Sequence, residues 1–60
     1  MDVNEREELK RKIAEKRALL ETMNRDIRKE EQAGRKEVAE AMKATAKALE
    51  LEIEELVRLL

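Results

Sequence analysis

Side chains that could do chemistry are mostly carboxylates. Glu30 and Glu31, Glu50 and Glu54, and Glu52 and Glu55 are spaced so that a helix could bring each pair together. Paired carboxylates do acid–base work only when burial or a neighbour drives their pKa values apart. Most of these lie on charged helix faces. Glu52 and Glu55 fall nearer an apolar arc, where glutamates commonly edge a helical seam and pair with Lys or Arg of another helix. The chain has no His and no Cys. A carboxylate-bridged metal site in a helical bundle would normally add a Glu-x-x-His motif, so no metal and no cofactor is expected. Disulfides are excluded.

Nucleophilic catalysis has little to draw on. Thr22 and Thr45 carry the only hydroxyls, and activating one would need a positioned base. Thr45 is expected to bond a backbone carbonyl one turn earlier, as helical threonines often do. A single glycine, Gly34, cannot form a phosphate-cradling loop. Cations cluster at Lys10-Arg11-Lys12, Lys16-Arg17, Arg25-Arg28-Lys29 and Arg35-Lys36. Acidic residues interrupt them, and aromatic platforms for bases are absent. Met23 and Met42 read as gap fillers in a core rather than a recognition surface. No enzyme, nucleic-acid, membrane or small-molecule function is expected.

Positioning elements must therefore be sought for packing rather than for catalysis. The chain has 60 residues, 48% of them charged and 42% hydrophobic, with no aromatic residue and no proline. Ala, Leu, Glu, Lys and Arg dominate, a composition typical of long helices and coiled coils. Formal net charge is −1, which gives little repulsion between identical copies. A lone core in so short a chain rarely supplies more than about 3–5 kcal/mol. Without disulfides or metal, partner chains are the remaining route to stability. The start, Met1-Asp2-Val3-Asn4-Glu5, is acidic and polar, unlike a secretory signal. No apolar run is long enough to span a membrane. The expected location is cytoplasmic or recombinant soluble.

Helical phase divides the chain in two. In the first half, Leu9, Ile13, Leu20, Met23 and Ile27 form one narrow stripe, with Lys16 in the remaining core slot and Leu19 beside it. The lysine stem can cover apolar surface while its amine reaches water. Asn4 and Glu7 offer a capping box. Glu7–Arg11, Glu8–Lys12 and Glu21–Arg25 are spaced for ion pairs along the helix. In the second half, Val38, Met42, Leu49, Ile53, Leu56 and Leu60 form a large-residue stripe, and Thr45 lies on it. Ala41, Ala44, Ala48 and Leu51 form a second strip, and Ala39, Ala46 and Val57 extend the other edge. The apolar arc covers about two-thirds of the circumference. A two-helix hairpin cannot hide all of that surface, and an exposed patch of this size promotes association.

The register slips by one residue around Gly34. Gly34 can be a left-handed cap that ends one helix and starts a short turn into an antiparallel second helix. Alternatively, a single helix of about 90 Å runs through, over- or underwound at the slip. A break near Asn24, with Asp26 as the next cap, would cut the Leu20–Met23–Ile27 stripe. The hairpin is preferred: helix over 4–32, turn over 33–36, helix over 37–60. Its weak point is the absence of a Ser, Thr, Asp or Asn to cap the second helix.

The stretches Glu5-Arg6-Glu7-Glu8-Leu9-Lys10-Arg11-Lys12 and Lys47-Ala48-Leu49-Glu50-Leu51-Glu52-Ile53-Glu54-Glu55-Leu56-Val57-Arg58-Leu59-Leu60 resemble computationally designed helical bundles. Such designs fill surfaces with Glu, Lys and Arg and cores with Leu, Ile, Val and Ala. The uncapped linker, Met23, Asn24 and Thr45 depart from that pattern, and heat-adapted coiled-coil fragments share its bias toward Glu and Lys. The resemblance implies that assembly itself is the function.

The expectation is an all-α hairpin that self-associates into a homo-oligomeric helical bundle. Leu9, Ile13, Leu20, Met23 and Ile27 dock the first helix. Val38, Met42, Leu49, Ile53, Leu56 and Leu60 fill the oligomer core, with Ala41, Ala44, Thr45, Ala48 and Leu51 completing the interface. The rival is a binding module for a different protein helix or for RNA.

Overall fold

A computed structural model describes residues 1–60. The chain forms two α-helices, α1 (Val3–Gln32) and α2 (Lys36–Arg58), packed against each other as an antiparallel hairpin. Its long dimension is 48 Å. A continuous helix would reach about 90 Å, so that alternative is overturned. So is a break near Asn24: α1 passes through it without interruption.

Alpha-1 begins earlier than the capping box at Asn4 and Glu7 implied. Asp2 is the N-cap, in extended backbone, and its Oδ1 accepts a hydrogen bond from the Glu5 amide at 2.8 Å. Asp2 and Glu5 have the same three-residue spacing as Asn4 and Glu7, and the earlier pair captures two more residues for the helix. Asn4 lies inside the first turn. The three anticipated ion pairs along α1 do not form. Lys10 pairs with Glu7 at 3.5 Å instead, with both side chains exposed. Solvated pairs of this kind gain little over hydration, so side-chain entropy decides their geometry.

Alpha-1 ends in a fully bonded turn. Gly34 has φ +79°, the left-handed conformation that other residues resist. Its amide donates to the Glu31 carbonyl at 3.1 Å, and the Arg35 amide donates to the Glu30 carbonyl at 2.9 Å. These are the two crossed bonds of a Schellman motif, which satisfies carbonyls that the helix itself leaves open. The motif usually adds an apolar contact between the residues bracketing it. Here those residues are Glu30 and Arg35, and their side chains form an ion pair instead.

Alpha-2 starts without a side-chain cap. Arg35 occupies the cap position and offers only its carbonyl, which accepts from the Ala39 amide at 3.0 Å. Glu37 in the first turn suits the positive end of the helix dipole.

Between the helices lies a two-stranded coiled-coil seam. On α1 the inward positions are Leu9, Ile13, Lys16, Leu20, Met23 and Ile27; on α2 they are Ala39, Met42, Ala46, Leu49, Ile53 and Leu56. Both sets alternate steps of three and four, the period of helices that cross at a shallow angle. The seam has two parts. Toward the open end, Leu9 and Ile13 pack with Leu49 and Ile53. Toward the turn, Ile27 packs with Ala39 and Ala46. Near the turn, large residues of α1 thus meet two alanines of α2, with Met42 packed beside them.

Candidate functional site

Each flank of the seam is closed by an ion pair, and the two flanks differ. On one, Lys43 bonds Glu31 at 2.8 Å. Asn24, Arg28, Lys47 and Glu50 surround an open, polar depression on that side. Hydrogen bonds from Lys43 to Glu31 and Glu40 hold its ammonium pKa above the usual lysine value. On the other flank, Lys16 reaches Glu52 at 2.8 Å. The lysine thus fills its core slot with its stem and delivers its amine to an edge glutamate. Glu52 pairs across helices within one chain.

Beyond Glu52 the surface of α2 turns apolar. Val38 and Leu51 remain 47% and 48% exposed, and Leu60, beyond the end of the helix, 43%. Ala41, Ala44, Thr45 and Ala48 are exposed on the same side of the helix. Leu59 lies near this face at the end of the helix, and Leu19 borders it on α1, three residues beyond Lys16. Glu37 and Glu55 share this arc and are exposed. The Thr45 hydroxyl donates to the Ala41 carbonyl at 3.4 Å, one turn back. Thr22 does the same to Ala18 at 3.3 Å on α1.

The residues named from sequence as the oligomer interface divide into two groups. Met42, Leu49, Ile53 and Leu56 pack against α1 of their own chain. Val38, Ala41, Ala44, Thr45, Ala48, Leu51 and Leu60 are left outside it. The helix 1 docking set, Leu9, Ile13, Leu20, Met23 and Ile27, lies wholly in the seam. Sequence reasoning placed Ala39 and Ala46 at an edge, yet they are among the most buried residues, at 1% and 4% exposure. Their signal was present: Ala39, Met42, Ala46, Leu49, Ile53 and Leu56 make an unbroken heptad pattern. Selecting by side-chain size rather than by spacing hid it.

The chemistry available elsewhere is limited. No three His, Cys, Asp or Glu side chains converge in a way that could hold a metal ion. No buried side-chain nitrogen or oxygen lacks a partner. The two other depressions lie over the turn and over Glu21, Asn24, Arg25 and Arg28, and both are open to solvent. Neither helix is long and apolar enough to cross a membrane. At the turn, a hydrogen bond from Arg35 holds the Glu30 carboxyl below its ordinary pKa, and the same contact raises that of Arg35. No protein family, curated protein or solved structure matches the chain.

Proposed function

We propose that this chain is a structural self-assembly module, a hairpin that forms a homo-oligomeric helical bundle without catalytic activity, in the manner of designed bundles. One observation carries the reading. On the flank of α2 that begins at Glu52, Val38, Ala41, Ala44, Ala48 and Leu51 are exposed, with Glu37 and Glu55 among them, and nothing in the chain covers them. Only seven residues of the hairpin are buried. A core that small leaves a chain marginal, and covering a second face adds hydrophobic stabilisation in proportion to the area removed from water. Small residues on that face allow a close helix approach. The idealised alternation of Glu, Lys and Arg with Leu, Ile and Ala supports the designed-bundle reading.

Sedimentation equilibrium over a wide concentration range tests the proposal. The expected mass is a multiple of 7.0 kDa, with thermal stability rising as concentration rises. Ala48→Glu places a charge in the covered face and should return the mass to one chain. A stable, fully helical single copy at all concentrations would overturn the reading. Association only upon adding RNA or a foreign helix would favour a hetero-binding module instead.

A further inference from the structure

Charge on the exposed arc of α2 selects what can cover it. The central ridge of that arc runs Glu37, Ala41, Ala44, Ala48, Leu51 and Glu55, all exposed. Neither carboxylate forms an ion pair within the hairpin, and no cation stands on the ridge. Its occupant must therefore bring cations. Alpha-1 carries a ridge of that sign on the side turned away from α2: Arg11, Ala14, Ala18, Thr22, Arg25 and Lys29, again all exposed. These three cations pair with no carboxylate of their own chain, and no acid stands on the ridge between them.

The two ridges also match in length and phase. Arg11 to Lys29 and Glu37 to Glu55 cover equal stretches of chain, about five helical turns or ~27 Å. Each ridge thus holds its end charges on one line. Between the ends, both advance in steps of three and four, the spacing of a seam between helices. Laid antiparallel, Arg11 meets Glu55 and Lys29 meets Glu37. Ala18 meets Ala48, and Thr22 meets Ala44. Leu51 falls beside Ala14 and Arg25 beside Ala41, so each long side chain meets a short one. A parallel arrangement sets Leu51 against Arg25. A second α2 in place of α1 brings only acids to Glu37 and Glu55.

We propose that the outer ridge of α2 docks, antiparallel, on the outer ridge of α1 in a second copy. This rests on the self-association reading above and specifies which surface each copy contributes. The Thr22 hydroxyl, bonded to the Ala18 carbonyl, enters this second seam without a free donor. Along one rim, Glu21 comes beside Lys47 of the partner subunit and Arg28 beside Glu40 of the partner subunit. One juxtaposition on the other rim runs against the pattern: Glu15 comes beside Glu52 of the partner subunit, a residue that Lys16 engages within each hairpin. The two ridges lie on opposite sides of the hairpin, so a copy that gives α1 to one neighbour still offers α2 to the next. Such a head-to-tail interface closes into a ring or grows as a stack, and does not stop at two copies.

Disulfide trapping and charge reversal test the pairing, each variant being checked for helicity. The chain has no cysteine of its own. Under mild oxidation, an equal mixture of Ala18→Cys and Ala48→Cys should give the mixed disulfide as its main product. Neither variant alone should cross-link, because equal positions in successive copies lie two helix spacings apart, about 20 Å and well beyond disulfide reach. At physiological salt, Glu37→Lys with Glu55→Lys should weaken association about tenfold, read by sedimentation. The same charge change placed off both ridges, Glu8→Lys with Glu54→Lys, should shift it less than about twofold, because screening confines the effect to close pairs. Self-cross-linking of A48C, a mass fixed at two chains, or equal effects of the two charge reversals would overturn the pairing while leaving self-association standing. A parent chain that stays single at every concentration would overturn both.

Discussion

Gly34 and its neighbours show how few atoms decide where this chain reverses. A Cβ added at Gly34 would meet nothing within 4 Å, so a substitution there is penalised by backbone conformation alone. Gly34→Ala should cost about 1–2 kcal/mol, and Gly34→Asn less, because asparagine tolerates the left-handed region better. Urea unfolding at fixed protein concentration measures both. The adjoining Glu30–Arg35 contact makes stability depend on acid. Arg35 lowers the folded-state pKa of Glu30 from 4.5, so the unfolded chain binds that proton more readily. The contribution is whole above pH 4.5 and is lost as pH falls through the lower folded value. Glu30→Gln should make the acid side of the melting-temperature profile shallower and leave its slope at neutral pH unchanged. Lys43 acts at the opposite limit. Its raised pKa makes its contribution whole below 10.5 and lost as pH climbs above that.

Alanines on α2 serve two separate purposes, and only their position around the helix distinguishes them. Ala46 faces Ile27 in the narrow part of the seam. Ala44 faces outward. Ala46→Leu should overpack the hairpin and destabilise it by about 1–3 kcal/mol, seen as lost helicity even in dilute solution. Ala44→Leu should leave the helicity of a dilute hairpin intact and change the mass of the assembly instead. Circular dichroism and sedimentation on the two variants separate these effects. The same pair marks the limit of sequence reading for this site. A helix that is apolar over two-thirds of its surface offers more than one stripe to its own partner, and periodicity alone does not rank them. The structure makes the choice by packing Ile27 against Ala39 and Ala46, with Met42 beside them, so the stripe that carries these alanines is the one α1 covers. Lys16 was legible as a core-slot cation and Glu52 as an acid at the seam's edge, but only the folded hairpin joins the two.

Across the whole molecule, the hairpin was legible from two facts that agree: the register slips where the only glycine stands, and the apolar arc changes width there. The cap of α1 was less so. Two acceptor–glutamate spacings lie in tandem near the start, and the sequence does not show which one the helix adopts. The closed turn also settles where the chain's two ends lie. Alpha-1 begins and α2 finishes at the same pole of a rod 48 Å long, opposite the bend. Any sequence joined before Val3 or after Arg58 would therefore leave side by side in one direction.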